Sequence, residues 1–230
     1  MNPRKHDFVV DVVAHEVVGD GFLRLHRTRL VNRRPGGSAS EPYPCDFVSR
    51  PVGQNAVVVA VWRRANDGQV EVLLRRGLRP PLVLDTSPER ISGTPLPAPL
   101  PMTRIWNLEV VAGILEAGEE GEAGIRSRAN DELYEEAGVM VAAAALTRLG
   151  AASLSAPGLI AERLHFFAAE VTEKAPITPP PGDGSPMEEG ASLEWMGLGA
   201  AIAACVAGTV EDCKTELALR RLKDWLDSDL

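Results

Sequence analysis

The segment from Trp106 to Gly138 constrains the fold more than any other, because it writes a strand, a loop and a helix in one run. Trp106-Asn107-Leu108-Glu109-Val110-Val111 reads as a short strand, and Gly113 and Gly118 frame a loop. Residues 122–137 then carry helical patterning that stops at Gly138, a favourable residue just past a helix C-terminus. On that helix Glu132, Glu135 and Glu136 stand at i, i+3 and i+4, so three carboxylates project from one face. Like charges so placed repel each other. A hard divalent cation held by oxygen ligands, keeping some waters for a phosphate to displace, compensates them best. A solvated acidic face is the plainer reading of three glutamates taken alone. The glycines that frame the unit weigh against it.

The flanking sequence supplies strands. Residues 8–18 are rich in valine, 22–30 place Phe22, Leu23, Leu25 and Leu30 among basic residues, and 34–40 form a turn-rich break. These predict a small N-terminal antiparallel sheet over 1–50, with the main domain over 51–230. Two β-branched runs, 56–62 and 69–75, are joined by Asn66-Asp67-Gly68, a strong hairpin signal. Residues 79–102 hold seven prolines without periodicity and predict a long surface excursion. Strands are expected at 146–154, 163–171 and 192–196, with a second proline-rich stretch over 176–186. Thr209 and Asp212 read as a capping pair before a terminal helix that carries Leu219, Leu222 and Leu226 at helical spacing. The mixture predicts an α+β fold, an α/β/α sandwich around a mixed sheet, rather than regular βαβ winding.

Charge and cysteine usage narrow the class. Against 24 basic side chains stand 32 acidic ones, a net charge of -8, which argues against nucleic acid as the main partner. Cys45, Cys205 and Cys213 are too few for a disulfide framework and form no CxxC pair, so they read as reduced. Residues 1–11 lack the apolar core of a signal segment, and no stretch reaches the roughly 18 apolar residues of a membrane span. A cytoplasmic protein that is no membrane partner is therefore expected. None of His6, His15, His26 and His165 shares a recognisable motif with a serine or cysteine, which weakens any covalent nucleophile.

Gly113, Glu119 and the block Glu132-Leu133-Tyr134-Glu135-Glu136-Ala137-Gly138-Val139 resemble the Nudix box. That pattern is a Gly, five residues, a Glu, seven residues, then R-E-U-x-E-E-x-G-U, with U aliphatic. Eleven residues separate Glu119 from the final block here, which predicts a longer loop before the helix, and Asp131 stands where the box has Arg. Arg128, one turn earlier, is one candidate for the displaced charge; Asp131 as an added negative ligand is the other reading. The resemblance implies Glu132 and Glu136 as metal ligands, the Ala112 carbonyl as a third, and Glu135 close to the reaction. Either Glu119 or Glu122 fills the first Glu position.

Over nearly the whole chain the resemblance is nearest to the ADP-ribose pyrophosphatase branch, which includes nucleoside diphosphate sugar hydrolases. That branch carries an N-terminal sheet used in dimerisation, so it implies a homodimer through residues 1–50. Arg79-Pro80-Pro81 is similar to the branch's Q-x-R-P stretch and implies a substrate contact at Arg79, with an exposed loop arginine as the plainer reading. Ser155-Ala156-Pro157-Gly158 with Glu162 is similar to its S-P-G-x-x-x-E segment and implies a substrate or metal role for Glu162. The acidic loop before the last strand implies a general base at Glu189, with Glu188 second. Together these imply hydrolysis of a nucleoside diphosphate sugar with magnesium, or manganese in its place, and ADP-ribose giving AMP and ribose 5-phosphate. The alternatives are a UDP-glucose-type substrate, a dinucleotide polyphosphate, or a catalytically silent nucleotide-binding domain.

Overall fold

In the computed structural model the described residues are 8–84, 105–172, 182 and 184–228. They form two compact units: the chain up to Gln54 with Leu154–Arg163, and Asn55–Ser153 with Leu164 onward.

The first unit is an antiparallel meander of β1 (Val9–Val18), β2 (Arg24–Arg33) and β3 (Tyr43–Ser49). β1 slips register between Val12 and Ala14, a bulge of the kind that twists and bends a strand. The 34–40 break is a turn closed by the Gly37 N–H on the Arg34 carbonyl at 2.9 Å. Ile160, which opens β10 (Ile160–Glu170), pairs parallel with Val48. In the three meander strands only Thr28 and Val31 are buried, whereas Val9, Val12 and Phe22 are each more than three-fifths exposed. This unit keeps most of its large apolar side chains at its surface.

The second unit is built on β4 (Ala56–Arg64) and β5 (Val70–Leu78). Their hairpin closes with the Gly68 N–H on the Ala65 carbonyl at 2.8 Å, and Gly68 takes φ +83°, a conformation that explains why glycine ends the Asn-Asp-Gly signal. The two strands pair only from Trp62–Val72 to Arg64–Val70 and then part. Into the opening comes the expected single strand at 106–111, which the structure divides: β6 (Trp106–Glu109) pairs with β5, and β7 (Val111–Ile114) pairs with β4. One strand cannot stay beside two that diverge, so the pairing changes hands at Val110. The later part of β10 runs parallel to β4, and β11 (Ser192–Gly197) runs antiparallel to β5, which makes the sheet mixed.

Alternation along β4 then fixes the layers. Val58, Ala60 and Trp62 face α2 (Leu198–Val206) and α3 (Cys213–Ser228), while Val57, Val59 and Val61 face α1 (Glu122–Ala137). Phe166 and Phe167 on β10 divide between the same two layers. Leu219 and Leu222 are fully buried, worth about 1.5–3 kcal/mol each against exposure. The observed arrangement is the expected helix, sheet and helix.

Three local expectations change. The strand expected at 146–154 shrinks to β8 (Thr147–Arg148), with β9 (Ser153–Ala156) starting only at its end. Helix α2 was not anticipated. The terminal helix is capped by Asp212, whose Oδ2 accepts from the Thr215 N–H at 3.0 Å, whereas the Thr209 N–H bonds back to the Ala204 carbonyl in the last turn of α2. Of the first proline-rich stretch, Pro80–Leu84 makes a 3-10 turn, and 85–104 lie outside the described residues; so do 173–181 and 183 of the second. Among the described residues no helix is long and apolar enough to cross a membrane.

Candidate functional site

The helix α1 ends in the αL conformation at Gly138, which returns its N–H to Tyr134 and lets Val139 bond Leu133. That stop leaves Glu136 in the last turn, directly against β7. Its Oε2 accepts the Ala112 N–H at 3.0 Å, and its Oε1 lies 3.4 Å from an Arg75 guanidinium nitrogen. Burial pushes the Glu136 carboxyl up, opposed by the Arg75 guanidinium beside it and by the Ala112 N–H. One turn earlier, the Glu132 carboxylate lies over Gly113: a Cβ built there would sit 1.7 Å from Glu132 Oε1. Gly113 is thus required for space, so that helix and strand can approach closely enough to bring Glu132 over the sheet.

The four extra residues of the box do not enlarge the loop. Between Ile114 and Glu122 the connection is residues 115–121, and 122–130 are already helical. Four residues are about one helical turn, so the insertion extends α1 at its N-terminus. Gly124 in that extra turn is packed on the loop, where an added Cβ would meet Glu119 Cα at 2.6 Å. Arg128, one turn before Asp131, lies among the carboxylates of the loop and the helix. It holds both Glu119 oxygens at 3.0 Å, reaches Glu116 at 3.1 Å and lies 3.8 Å from Glu132. The bonds from Arg128 hold the Glu119 carboxyl below the usual range, and Glu119 in return raises the guanidinium. Asp131 is exposed, while Glu122 is engaged with Arg126 and Arg148.

From the opposite side come β5 and the loop before β11. Arg75 follows Leu73 by two residues on β5, so it faces the same α1 layer, and it is only 3% exposed. Its other nitrogen holds Glu188 Oε1 at 3.1 Å. Glu188 closes a 3-10 turn, Pro186–Glu188, opened by Ser185 Oγ accepting from the Met187 N–H at 3.2 Å. Gly182 donates to the Glu135 carbonyl at 3.0 Å, and a Cβ there would lie 2.2 Å from Glu188 Oε2. Its φ of +68° also favours glycine. This segment therefore rests on the end of α1 with the Glu188 carboxylate turned inward, and Glu189 stays exposed.

A polar recess of about 410 Å³ results, lined by Ala112, Glu132, Glu135, Glu136, Arg79 and Glu188 among others. A second recess of about 420 Å³ adjoins it, sharing Arg75, Glu135 and Glu188 and adding Glu189. Arg79 is ion-paired with the buried Glu109, which also bonds Lys214 at 2.5 Å. Burial pushes the Lys214 ammonium down, but Glu109 and Asp212 outweigh it and hold it raised. Glu162 belongs to the other unit, where it pairs with Arg50 at 2.6 Å. Arg75, Glu109 and Lys214 escaped sequence reasoning; for Arg75 the available signal was strand alternation, which sets it in register with the buried Leu73. Among the described residues no three His, Cys, Asp or Glu side chains converge into a ready-made metal cage.

No protein-family model matches the sequence, and no curated protein matches it. The fold is matched by a solved structure described as an ADP compounds hydrolase, with a TM-score of 0.53 and 16% identity over 96% of this chain and 95% of that one. A complex between the C-terminal domain of mouse MUTYH and human PCNA matches with a TM-score of 0.45 and 16% identity, over 75% of this chain and 89% of that one. The first likeness is one of fold, an α+β arrangement with a mixed sheet between helices.

Proposed function

We propose that this chain is a Nudix-type pyrophosphatase that hydrolyses a nucleoside diphosphate sugar with magnesium or manganese, ADP-ribose being the first candidate substrate. The observation that carries this reading is the recess itself: five carboxylates, Glu116, Glu132, Glu135, Glu136 and Glu188, line one cavity together with three arginines, Arg75, Arg79 and Arg128. Carboxylates suit a divalent cation and guanidinium groups suit phosphate oxygens, so a metal-bound pyrophosphate satisfies both halves. The residues fit the ion. Magnesium needs only one or two carboxylates when waters and substrate oxygens complete its shell, so the lack of a three-carboxylate cage among the described residues is compatible with Glu132, Glu136 and the Ala112 carbonyl as its protein ligands.

When bound, the cation would neutralise bridging and leaving oxygens of the pyrophosphate. The chain's own groups do the rest. Arg79 contacts a phosphate or ribose oxygen once it exchanges Glu109 for substrate. A carboxylate on the 184–190 segment takes the proton from the attacking water, and no covalent intermediate is required. The same segment, resting on α1, sets how much bulk water enters the recess. The likeness in fold to an ADP compounds hydrolase agrees with this substrate class.

A second reading, a nucleotide-binding domain without turnover, draws on one observation: Arg75 already engages Glu136. A single experiment separates the two. Incubation with ADP-ribose, UDP-glucose and a dinucleotide polyphosphate in Mg²⁺ is expected to give AMP and ribose 5-phosphate from ADP-ribose. Binding of the nucleotide without products selects the silent domain, and turnover of another compound alone reassigns the substrate.

A homodimer formed through the N-terminal meander is part of the same proposal. Its support is the set of apolar side chains left at the surface, including Val9, Val12, Val17, Phe22 and Phe47. A twofold pairing is the commonest way to cover such a face. Sedimentation at micromolar concentration is expected to give twice the chain mass, and a monomer there would overturn the dimer.

A further inference from the structure

We infer that Arg75 is a positioning residue that opposes the cation at Glu136 and docks the Glu188 segment onto the site; this rests on the metal reading above. The geometry is a bridge. One guanidinium nitrogen lies 3.4 Å from Glu136 on α1 and the other 3.1 Å from Glu188 on the 3-10 turn before β11. Arg75 is 3% exposed, its Nε is buried with no hydrogen-bond partner among the described residues, and it borders both recesses. Gly77 makes room for it, since a Cβ at that position would meet the Arg75 guanidinium at 2.6 Å. The side chain is therefore fixed by packing, with its charge delivered between two carboxylates carried by separate elements.

Two consequences follow from elementary electrostatics. A fixed positive charge against a carboxylate ligand repels a divalent cation bound to that ligand, so Arg75 weakens metal affinity. The same charge attracts Glu188, and a planar fork can hold two partners at once where a lysine offers a single ammonium. Arg75 thereby trades metal affinity for a closed segment over the reacting groups. A residue that only stabilises the fold would do neither, because losing it would loosen the site and lower metal affinity.

The test uses the full chain, Mn²⁺ alone as the metal probe, and hydrogen exchange read over 184–190. Arg75→Gln is expected to bind Mn²⁺ about threefold to tenfold more tightly and to exchange the 184–190 amides at least about tenfold faster. Arg75→Lys keeps the charge but not the fork, so its Mn²⁺ affinity stays within about twofold while exchange still rises. A folded Arg75→Gln whose Mn²⁺ affinity fails to rise overturns the inference, as does unchanged exchange in Arg75→Lys. Should the Gln variant not fold, the Lys variant decides alone. Absence of Mn²⁺ binding in the unsubstituted chain would instead remove the metal reading, and the exchange result would still decide whether Arg75 docks the segment.

Discussion

Replacing Glu132 or Glu136 by Gln is expected to cut turnover at least about a hundredfold while the chain stays folded. Glutamine keeps the shape of the side chain and removes the charge that a hard cation needs. At position 136 the amide oxygen still accepts the Ala112 N–H, so the bond that ties α1 to β7 survives. Burial already disfavours the charged Glu136 carboxylate, and a neutral amide avoids that cost. Loss of activity should therefore come without loss of melting temperature, which separates a missing ligand from a damaged fold. At position 132 the same substitution leaves Gly113 and its clearance untouched. Product release from ADP-ribose with Mg²⁺, read beside a thermal melt, checks both variants; near-normal activity in both would sink the assignment.

What could be read in the sequence is what short-range chemistry dictates. The bounds of α1 follow from Gly138 and from carboxylates at helical spacing, and the hairpin at Asn66-Asp67-Gly68 follows from a turn that needs positive φ. The two-layer core follows from alternation in β4, buried on both faces. The rest depends on which elements meet. Gly197, which opens α2 without a side-chain cap, carries no capping signal, so an alanine-rich helix went unseen. The division of 106–114 into β6 and β7 depends on β4 and β5 parting, a tertiary event. Arg128 could be suggested from its place one turn before Asp131, but its hold on Glu119 requires the loop to fold back over Gly124. Glu162 meets Arg50 across 112 positions, a pairing that no local pattern encodes.

The loop carboxylate offers the second large effect: replacing the general base by Gln should lower the maximal rate by about two to four orders of magnitude with little change in metal affinity. On the proposed reading Glu132 and Glu136 hold the cation, so a separate carboxylate must receive the water proton. The resemblance ranks Glu189 first and Glu188 second, and side-chain geometry favours the reverse. Glu188 turns into the recess, with one oxygen held by Arg75 and the other against Gly182, whereas Glu189 is exposed and borders only the adjoining recess. A base must lie within reach of the proton it abstracts, which gives Glu188 the stronger geometric claim. Glu189 can act only if the segment rearranges on substrate binding, so both variants need measuring, with kcat separated from KM and Mn²⁺ affinity taken independently. A fall in Glu188→Gln alone assigns the base to Glu188, and a fall in Glu189→Gln alone means that the segment rearranges on binding. If both turn over normally, the base lies off this loop; Glu135, which lines both recesses and whose carbonyl anchors Gly182, is then the next residue to replace.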